Sequence, residues 1–157
     1  MKLMKDTASV QNWLLSNNRT PPIVGKGATQ LLWSDRHAYE VLEVSPDLKR
    51  VVIQRYDAKR IDDKNYYGED QLYAYTDLQG PKIELVFRNG AYREIVKTRS
   101  LKLEAIKACH VFHDKRLKNE EAFREYQYQD SDYTIKTSYP KMNIVFGYAQ
   151  EYRDPHF

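Results

Sequence analysis

The sequence predicts a mainly β domain in which antiparallel strands close onto a central hairpin. Two alternating apolar runs, Tyr39–Val44 and Arg50–Tyr56, flank a short turn at Ser45–Lys49. A second hairpin signal is the dipeptide Asn89-Gly90, which is typical of a type I′ turn. The chain also holds 13 tyrosines, a residue type that packs well in strands. These observations together favour a small soluble β-rich protein.

Bulk composition predicts one domain over residues 1–157. The 157 residues suffice for a core, and 41% hydrophobic with 30% charged residues is ordinary for a soluble globule. The single Cys109 excludes an intramolecular disulfide and a multi-cysteine zinc site, and it favours a reducing compartment. The first ten residues lack a signal-peptide apolar core, and no stretch reaches the length of a membrane span. We therefore expect a cytoplasmic protein without a membrane partner.

An N-terminal arm, residues 1–22, is expected to contain a short helix over Ala8–Ser16. Asp6 or Thr7 is positioned to cap this helix. The apolar residues of its predicted inner face are Val10, Trp13 and Leu14. This spacing favours a helix that docks Trp13 on the β domain. The alternative is a mobile arm that meets a partner.

The remaining strands follow from alternating apolar residues and the turns between them. The predicted strands are Gln30–Trp33, Tyr39–Val44, Arg50–Tyr56, Gln71–Thr76, Lys82–Arg88, Ala91–Lys97 and Asn143–Tyr148. Asp77–Pro81 is interpreted as a turn between two of them, and Ile61–Asp70 as a polar loop.

The apolar period changes to a helical one after the last hairpin. Ser100–Phe112 places Leu103, Ile106 and His110 at helical spacing, and Lys115–Lys118 forms a basic break. A second short helix is expected over Glu120–Gln127. Residues 127–139 are polar and tyrosine-rich, which is compatible with a strand pair or an ordered loop.

Two clusters of chemically active residues invite a catalytic or metal interpretation. Asp35 and His37 are too close in sequence to converge, because neighbours on one strand point to opposite faces, so an Asp turn with an Arg36 ion pair is favoured. Cys109 and His113 lie four residues apart, but zinc takes three or four protein ligands and no second cluster is evident. We expect no metal, no cofactor and no catalytic residue.

A basic strand supports an alternative, nucleic-acid-binding interpretation. Its candidate contact residues are Arg50, Arg55, Lys59 and Arg60, with Lys115, Arg116 and Lys118 further along the chain. Net charge is +3, which permits nucleic-acid binding without indicating it. Asp57, Asp62 and Asp63 lie nearby in the sequence, so an ordinary solvated face is the competing interpretation.

Several segments taken together resemble a known pattern. They are G-x-GAT, W-x-DRHAYEV-x-EV, KRVVIQRYDAKR, Y-x-EDQ-x-Y-x-Y, LVFRNG-x-Y and EYRDPHF. This set resembles an uncharacterised family of short proteins in bacteriophage genomes and phage-derived DNA. The resemblance implies a small SH3-like β-barrel over residues 23–97 and 143–157. It carries no established activity.

The chain departs from that pattern between residues 98 and 142. Family members run quickly from the Asn-Gly hairpin to the last strand, whereas here a partly helical insertion intervenes. Insertions of this length in a compact domain are usually functional or disordered. We therefore expect the partner contact to lie in this insertion.

The leading functional hypothesis is a non-enzymatic phage protein that acts through protein contacts, as a virion component or as an inhibitor of a host defence system. Tyrosine and arginine are favoured at interfaces. The candidate anchors are Tyr66, Tyr67, Tyr126, Tyr128 and Tyr133. The basic strand carries the nucleic-acid alternative, and a small hydrolase using Asp35, His37 or His113 is the third. A homodimer is left open because strand edges need cover.

Overall fold

The structure is a computed structural model that describes residues 9–62, 71–118 and 127–155, with the side chains of 114–118 outside the description. Its contacts divide the chain into two units. We call Met1–Ile95 with Tyr139–Phe157 the barrel unit, and Val96–Ser138 the second unit. The sequence placed the insertion at 98–142. Each unit is described by itself.

Eight strands and two α-helices make up the described part of the chain. In chain order they are α1 (Val10–Leu15), β1 (Gly27–Leu31), β2 (Arg36–Val44), β3 (Arg50–Arg60), β4 (Tyr73–Arg88), β5 (Ala91–Glu94), β6 (Val96–Leu101), α2 (Leu103–Lys118), β7 (Tyr133–Ser138) and β8 (Ile144–Phe146). A short 3-10 helix, Asp130–Asp132, precedes β7. No helix among these residues combines the length and apolar character needed to cross a membrane.

The barrel unit is built on one antiparallel sheet with strand order β5-β4-β3-β2-β1-β8. The sheet nearly closes on itself, because the residues just before β8 reach β5 at the opposite edge. The Glu94 N–H donates to the Pro140 carbonyl at 3.0 Å, and the Met142 N–H to the Tyr92 carbonyl at 3.0 Å. The predicted mainly β, antiparallel, barrel-like fold with a few helices is confirmed.

The core fills the inside of this curved sheet. Its buried members come from five strands and from the segment before β8: Ala28, Tyr39, Val41, Val51, Ile53, Leu85, Met142 and Phe146. Along β2 and β3, the core residues are two positions apart, which places their side chains on one face, as the period of a half-buried strand requires. The Tyr92 and Phe146 rings meet edge to face at 5.2 Å, which joins the two edge strands through their side chains.

Both predicted hairpins are confirmed. β2 and β3 pair across the Ser45–Lys49 turn, with Val44 opposite Val51. The backbone of Asn89 and Gly90 has φ of 53° and 75°, the pair of positive values that a type I′ turn requires, and Arg88 lies opposite Ala91.

Several strand boundaries differ from the prediction, and two of the differences change how the strands connect. The Asp77–Pro81 segment is not a turn, because β4 runs through it and stays paired with β3 on both sides. Gly80 has a φ of 74°, and a register shift accommodates the extra residues as a bulge. The predicted strand Ala91–Lys97 is two strands, since β5 belongs to the barrel sheet and β6 pairs with β7.

The N-terminal helix exists but does not present the predicted face. Ser9 caps it, with its Oγ accepting from the Asn12 N–H at 3.2 Å. Val10 and Leu14 are exposed, whereas Asn12 is fully buried. The predicted docking face is therefore wrong for Val10 and Leu14, because a polar contact through Asn12 holds the helix, whereas Trp13 is half-buried.

The second unit contains the β6–β7 ribbon and α2. The ribbon pairs Val96 with Ser138 at one end and Leu101 with Tyr133 at the other. The prediction of a basic break over Lys115–Lys118 is wrong, because α2 continues through it to Lys118. The second predicted helix, Glu120–Gln127, lies almost wholly outside the described residues.

Candidate functional site

The segment 147–155, which we call the C-terminal segment, follows β8 and lies along β1 and β2. Thr29 Oγ1 donates to the Tyr148 carbonyl at 2.9 Å and accepts the Gln150 N–H at 3.1 Å. Further along, Arg36 and Tyr152 exchange two backbone hydrogen bonds of 2.9 and 3.0 Å. Gly27 makes this approach possible, because a Cβ there would overlap the backbone of the C-terminal segment.

Arg36 is a buried cation at this junction. Its residue surface is 2% exposed, and its Nη1 donates to Asn12 Oδ1 at 3.1 Å. The guanidinium carbon lies 4.3 Å from the centre of the Tyr152 ring, a cation–π contact. Burial lowers the Arg36 pKa, and the nearby Tyr152, Tyr148 and Asp35 act in the opposite direction. The ion pair predicted between Asp35 and Arg36 is replaced by Asn12 and an aromatic face.

Asn12 and Asp35 complete this junction. Asn12 Nδ2 donates to the Leu32 and Asp35 carbonyls at 3.1 and 3.2 Å, which seats α1 beside β2. Asp35 Oδ1 accepts the Asp154 N–H at 2.7 Å. The DRH and EYRD segments, far apart in sequence, therefore meet.

Glu151 is the buried carboxylate of the C-terminal segment. It is 2% exposed, its Oε1 pairs with Arg55 Nη2 at 2.9 Å, and its Oε2 accepts the Ala38 N–H at 3.0 Å. Its own N–H donates to the Tyr75 hydroxyl oxygen at 2.8 Å. One residue thereby joins the C-terminal segment to β2, β3 and β4.

His37 lies beside this ion pair. Burial and the positive charge of Arg55 lower the pKa of the His37 imidazole, while Glu151 and Asp35 counteract them in part. The imidazole is therefore neutral at pH 7.

A shallow pocket of about 180 Å³ lies next to this cluster, at the outer end of the β3–β4 hairpin. It is lined by Ala58, Arg60, Tyr73, Arg153 and Pro155. Sequence reasoning missed this site, because Arg153 and Pro155 reach β3 and β4 only through the fold. We call it the arginine pocket.

Two hydrogen-bonded residues hold the arginine pocket in place. Asp62 Oδ1 pairs with Arg60 Nε at 2.7 Å, and its Oδ2 accepts the Leu72 N–H at 2.7 Å. Gln71 donates to the Arg153 carbonyl at 2.6 Å and accepts both the Arg153 N–H, at 3.1 Å, and the Tyr73 hydroxyl, at 2.9 Å. The lining side chains thus stand on fixed backbone.

The predicted basic strand does not present its cations as one row. Along β3, the Arg55 and Arg60 side chains are half-buried. Arg55 is engaged with Glu151, and Arg60 with Asp62. Arg50 and Lys59 are exposed. The side chains of Lys115, Arg116 and Lys118 lie outside the described residues.

Only two of the five candidate tyrosine anchors lie in the described part of the chain. Tyr66, Tyr67 and Tyr126 fall outside it. Tyr128 and Tyr133 pair edge to face at 6.2 Å in the second unit, and the Arg99 guanidinium carbon lies 3.7 Å from the centre of the Tyr133 ring.

The residues considered for catalysis or metal binding lie in both units. Among the side chains that the structure describes, in residues 9–62, 71–113 and 127–155, no three of His, Cys, Asp or Glu are grouped as a metal site requires. Asp35 accepts a backbone N–H, His37 lies beside the Arg55–Glu151 pair, and His113 belongs to the second unit.

These features define a small antiparallel barrel whose C-terminal segment is fastened across three strands by a buried carboxylate. Comparison with protein-family models, with curated proteins and with solved structures gave no match to this chain.

Proposed function

We propose that this chain is a non-enzymatic binding protein that contacts a protein partner through its second unit. The observation that carries the proposal is the apolar surface of this unit. Among its described side chains, the large exposed apolar ones are Leu103, Ile106, Val111 and Ile135. Ile135, on β7, is the most exposed of them at 72%. Large apolar side chains that stay exposed are candidate contact residues for a partner.

The β6–β7 ribbon supports this proposal because a two-stranded ribbon with exposed side chains has little stability of its own. Nearly all of its side chains are exposed, and in the described part of the chain the two strands pair only with each other. An isolated two-stranded ribbon is marginally stable in water, and its free edges offer unpaired backbone groups. A partner that covers the ribbon would supply the burial that the ribbon lacks.

Arg99, Tyr128 and Tyr133 add side chains of the type that interfaces use. The guanidinium lies over the Tyr133 ring, and Tyr128 packs against that ring from the side. Aromatic and arginine side chains are enriched among the residues that dominate binding energy. Stacking orders them in advance, so a partner would lose less rotamer entropy on contact.

The biological setting belongs to the same proposal. Origin in a bacteriophage genome, and a role as a virion component or as an inhibitor of a host defence system, rest on the resemblance of the sequence pattern. Its location in the host cytoplasm or in the virion follows from those roles. The barrel unit would then be the scaffold that carries the second unit.

The test is a pull-down from host lysate with and without nuclease, followed by mass spectrometry. Ile135→Asp places a charge on the apolar surface, and Val24→Asp is the matched control, since Val24 is 58% exposed on the barrel unit. We expect a nuclease-resistant protein captured by wild type and Val24→Asp but not by Ile135→Asp. Both substitutions are on the surface and should alter stability by less than about 0.5 kcal/mol.

Three outcomes would overturn the proposal, and a fourth would identify the partner. Equal capture by Ile135→Asp would exclude this surface, and the absence of any nuclease-resistant protein would exclude a protein partner. Capture that disappears with nuclease would favour the nucleic-acid alternative, whose affinity should fall steeply with salt. A dimer of this chain that Ile135→Asp dissociates would identify a second copy as the occupant.

A further inference from the structure

We propose that the arginine pocket binds the phosphate group of a small phosphomonoester. The pocket lies in the barrel unit, so this inference is separate from the partner surface proposed above. The inference rests on three features of the pocket: the unused hydrogen-bond donors of two guanidinium groups, the volume of the pocket, and its apolar wall.

Arg60 presents a fixed guanidinium with an unused donor. Its Nε is held by Asp62 at 2.7 Å, which sets the plane of the group. Its Nη2 is buried and has no hydrogen-bond partner within the described part of the chain. A buried donor without an acceptor is costly, so a ligand oxygen placed there would remove that cost.

Arg153 contributes the second guanidinium from the C-terminal segment. Its Nε lies 4.0 Å from Glu151 Oε1, too far for a hydrogen bond, and its side chain is 69% exposed. The Glu151 carboxylate is already satisfied by Arg55 and by the Ala38 N–H. With respect to the residues that the structure describes, the Arg153 donors therefore remain available to a ligand, while Gln71 holds the backbone of Arg153 through two hydrogen bonds.

The size of the pocket limits the ligand. At about 180 Å³ it is smaller than the roughly 300–1,000 Å³ of sites that hold drug-sized ligands. It has room for one charged group and a few attached atoms. A nucleotide cofactor does not fit inside it.

The arrangement of donors selects phosphate over carboxylate. One arginine fork already satisfies a planar carboxylate, whereas a tetrahedral phosphate offers oxygens to donors arriving from two elements. Arg60 on β3 and Arg153 on the C-terminal segment approach from different elements. Tyr73 and Pro155 form an apolar wall that suits the organic part of a monoester.

The proposal is tested by isothermal titration of the full chain at low ionic strength. The probes are phenyl phosphate, inorganic phosphate and benzoate. We expect a Kd on the order of 1 mM for phenyl phosphate, weaker binding of inorganic phosphate, and none detectable for benzoate. The first two arms show whether the organic group contributes beyond the phosphate itself.

Variants assign the binding to the pocket. Arg153→Gln should weaken phenyl phosphate binding about tenfold, since one charge-assisted bond is lost. Arg153→Lys keeps the charge but loses the fork, and it should fall between wild type and Arg153→Gln. Arg50→Gln is the control, because Arg50 is an exposed arginine on β3, the strand that carries Arg60. This substitution should leave the affinity for phenyl phosphate unchanged.

The proposal fails if phenyl phosphate does not bind, or if benzoate binds equally well. It also fails if Arg153→Gln and Arg50→Gln weaken binding equally, which would indicate only a general attraction to positive charge. Thermal melts of each variant check that the barrel unit is intact. If Arg153→Gln does not fold, the test falls to Arg153→Lys. Wild-type affinity of that variant for phenyl phosphate would overturn the claim that the guanidinium fork of Arg153 binds the phosphate.

Discussion

Glu151→Gln should destabilise the barrel unit, because it removes the negative charge on which the C-terminal segment depends. The substitution keeps the side-chain volume but replaces one oxygen by an NH₂ group. Either the Ala38 N–H or the Arg55 guanidinium then faces a donor instead of an acceptor. Glu151 itself is buried, so water cannot replace the lost contact.

The expected loss follows from the two partners. Breaking a buried ion pair by removing one member costs roughly 3–5 kcal/mol. The Arg55 side chain is 34% exposed, so hydration offsets part of that cost. We expect a loss of about 2–3 kcal/mol in the free energy of unfolding. At roughly 2–4 °C per kcal/mol for a chain of this size, Tm should fall by about 4–12 °C.

The assay is urea and thermal unfolding followed by circular dichroism. Glu43→Gln, which removes an exposed carboxylate from β2, is the control and should change stability by less than about 0.5 kcal/mol. Arg55→Gln and the double variant complete a double-mutant cycle with an expected coupling of roughly 1–2 kcal/mol. A Glu151→Gln melt within about 1 °C of wild type, or additive single effects, would refute the reasoning.

Three further predictions concern the same unit. Gly27→Ala should cost more than Gly90→Ala (about 1 kcal/mol for the positive φ) and expose the C-terminal segment to limited proteolysis; equal effects would contradict the packing. His37 has a pKa below its ordinary 6.5, so the unfolded state binds more protons and wild type should lose stability as pH falls through 6.5. Urea titrations should show this loss reduced in His37→Gln; parallel profiles would contradict it. Burial and a hydrogen bond to Glu40 raise the pKa of Tyr56 to about 12. An ultraviolet titration of Tyr56→Phe should therefore lack one phenol that ionises near that pH in wild type, and unchanged curves would contradict the assignment.

The hairpins were predictable because their chemistry is local. The turn at Asn89-Gly90 can be predicted from the preference of these two residues for positive φ and from the apolar alternation on each side. The β2–β3 hairpin likewise follows from apolar alternation about a proline-containing turn.

Strand boundaries were missed where tertiary pairing overrode the local signal. Asp77–Pro81 holds residues typical of turns, yet β3 extends opposite both of its flanks, so the chain bulges there without reversing. Alternation from Ala91 to Lys97 is continuous in sequence, but the pairing partner changes at Ile95, and alternation carries no information about partners.

The candidate site was beyond sequence reasoning because its contacts are long-range. Arg55 and Glu151 are 96 residues apart, and the local sequence around either residue does not predict a contact with the other. The signals that were present are a charged residue, Arg36, at the start of a core strand and a charged residue, Glu151, next to Tyr152. The inward face of α1 was predicted wrongly for a related reason. The spacing of apolar residues cannot show that the polar side chain of Asn12 is the one that is buried.

The placement of β8 beside β1 has a consequence for synthesis. Thr29 and Tyr148, which bond in the finished sheet, are separated by 119 positions. At about 5–20 residues per second, the ribosome needs roughly 6–24 s to supply the second after the first. Throughout that interval the edge of β1 has no neighbour, and the core lacks Phe146. The nascent chain is therefore open to aggregation for seconds, and its barrel can form only after β8 has been made.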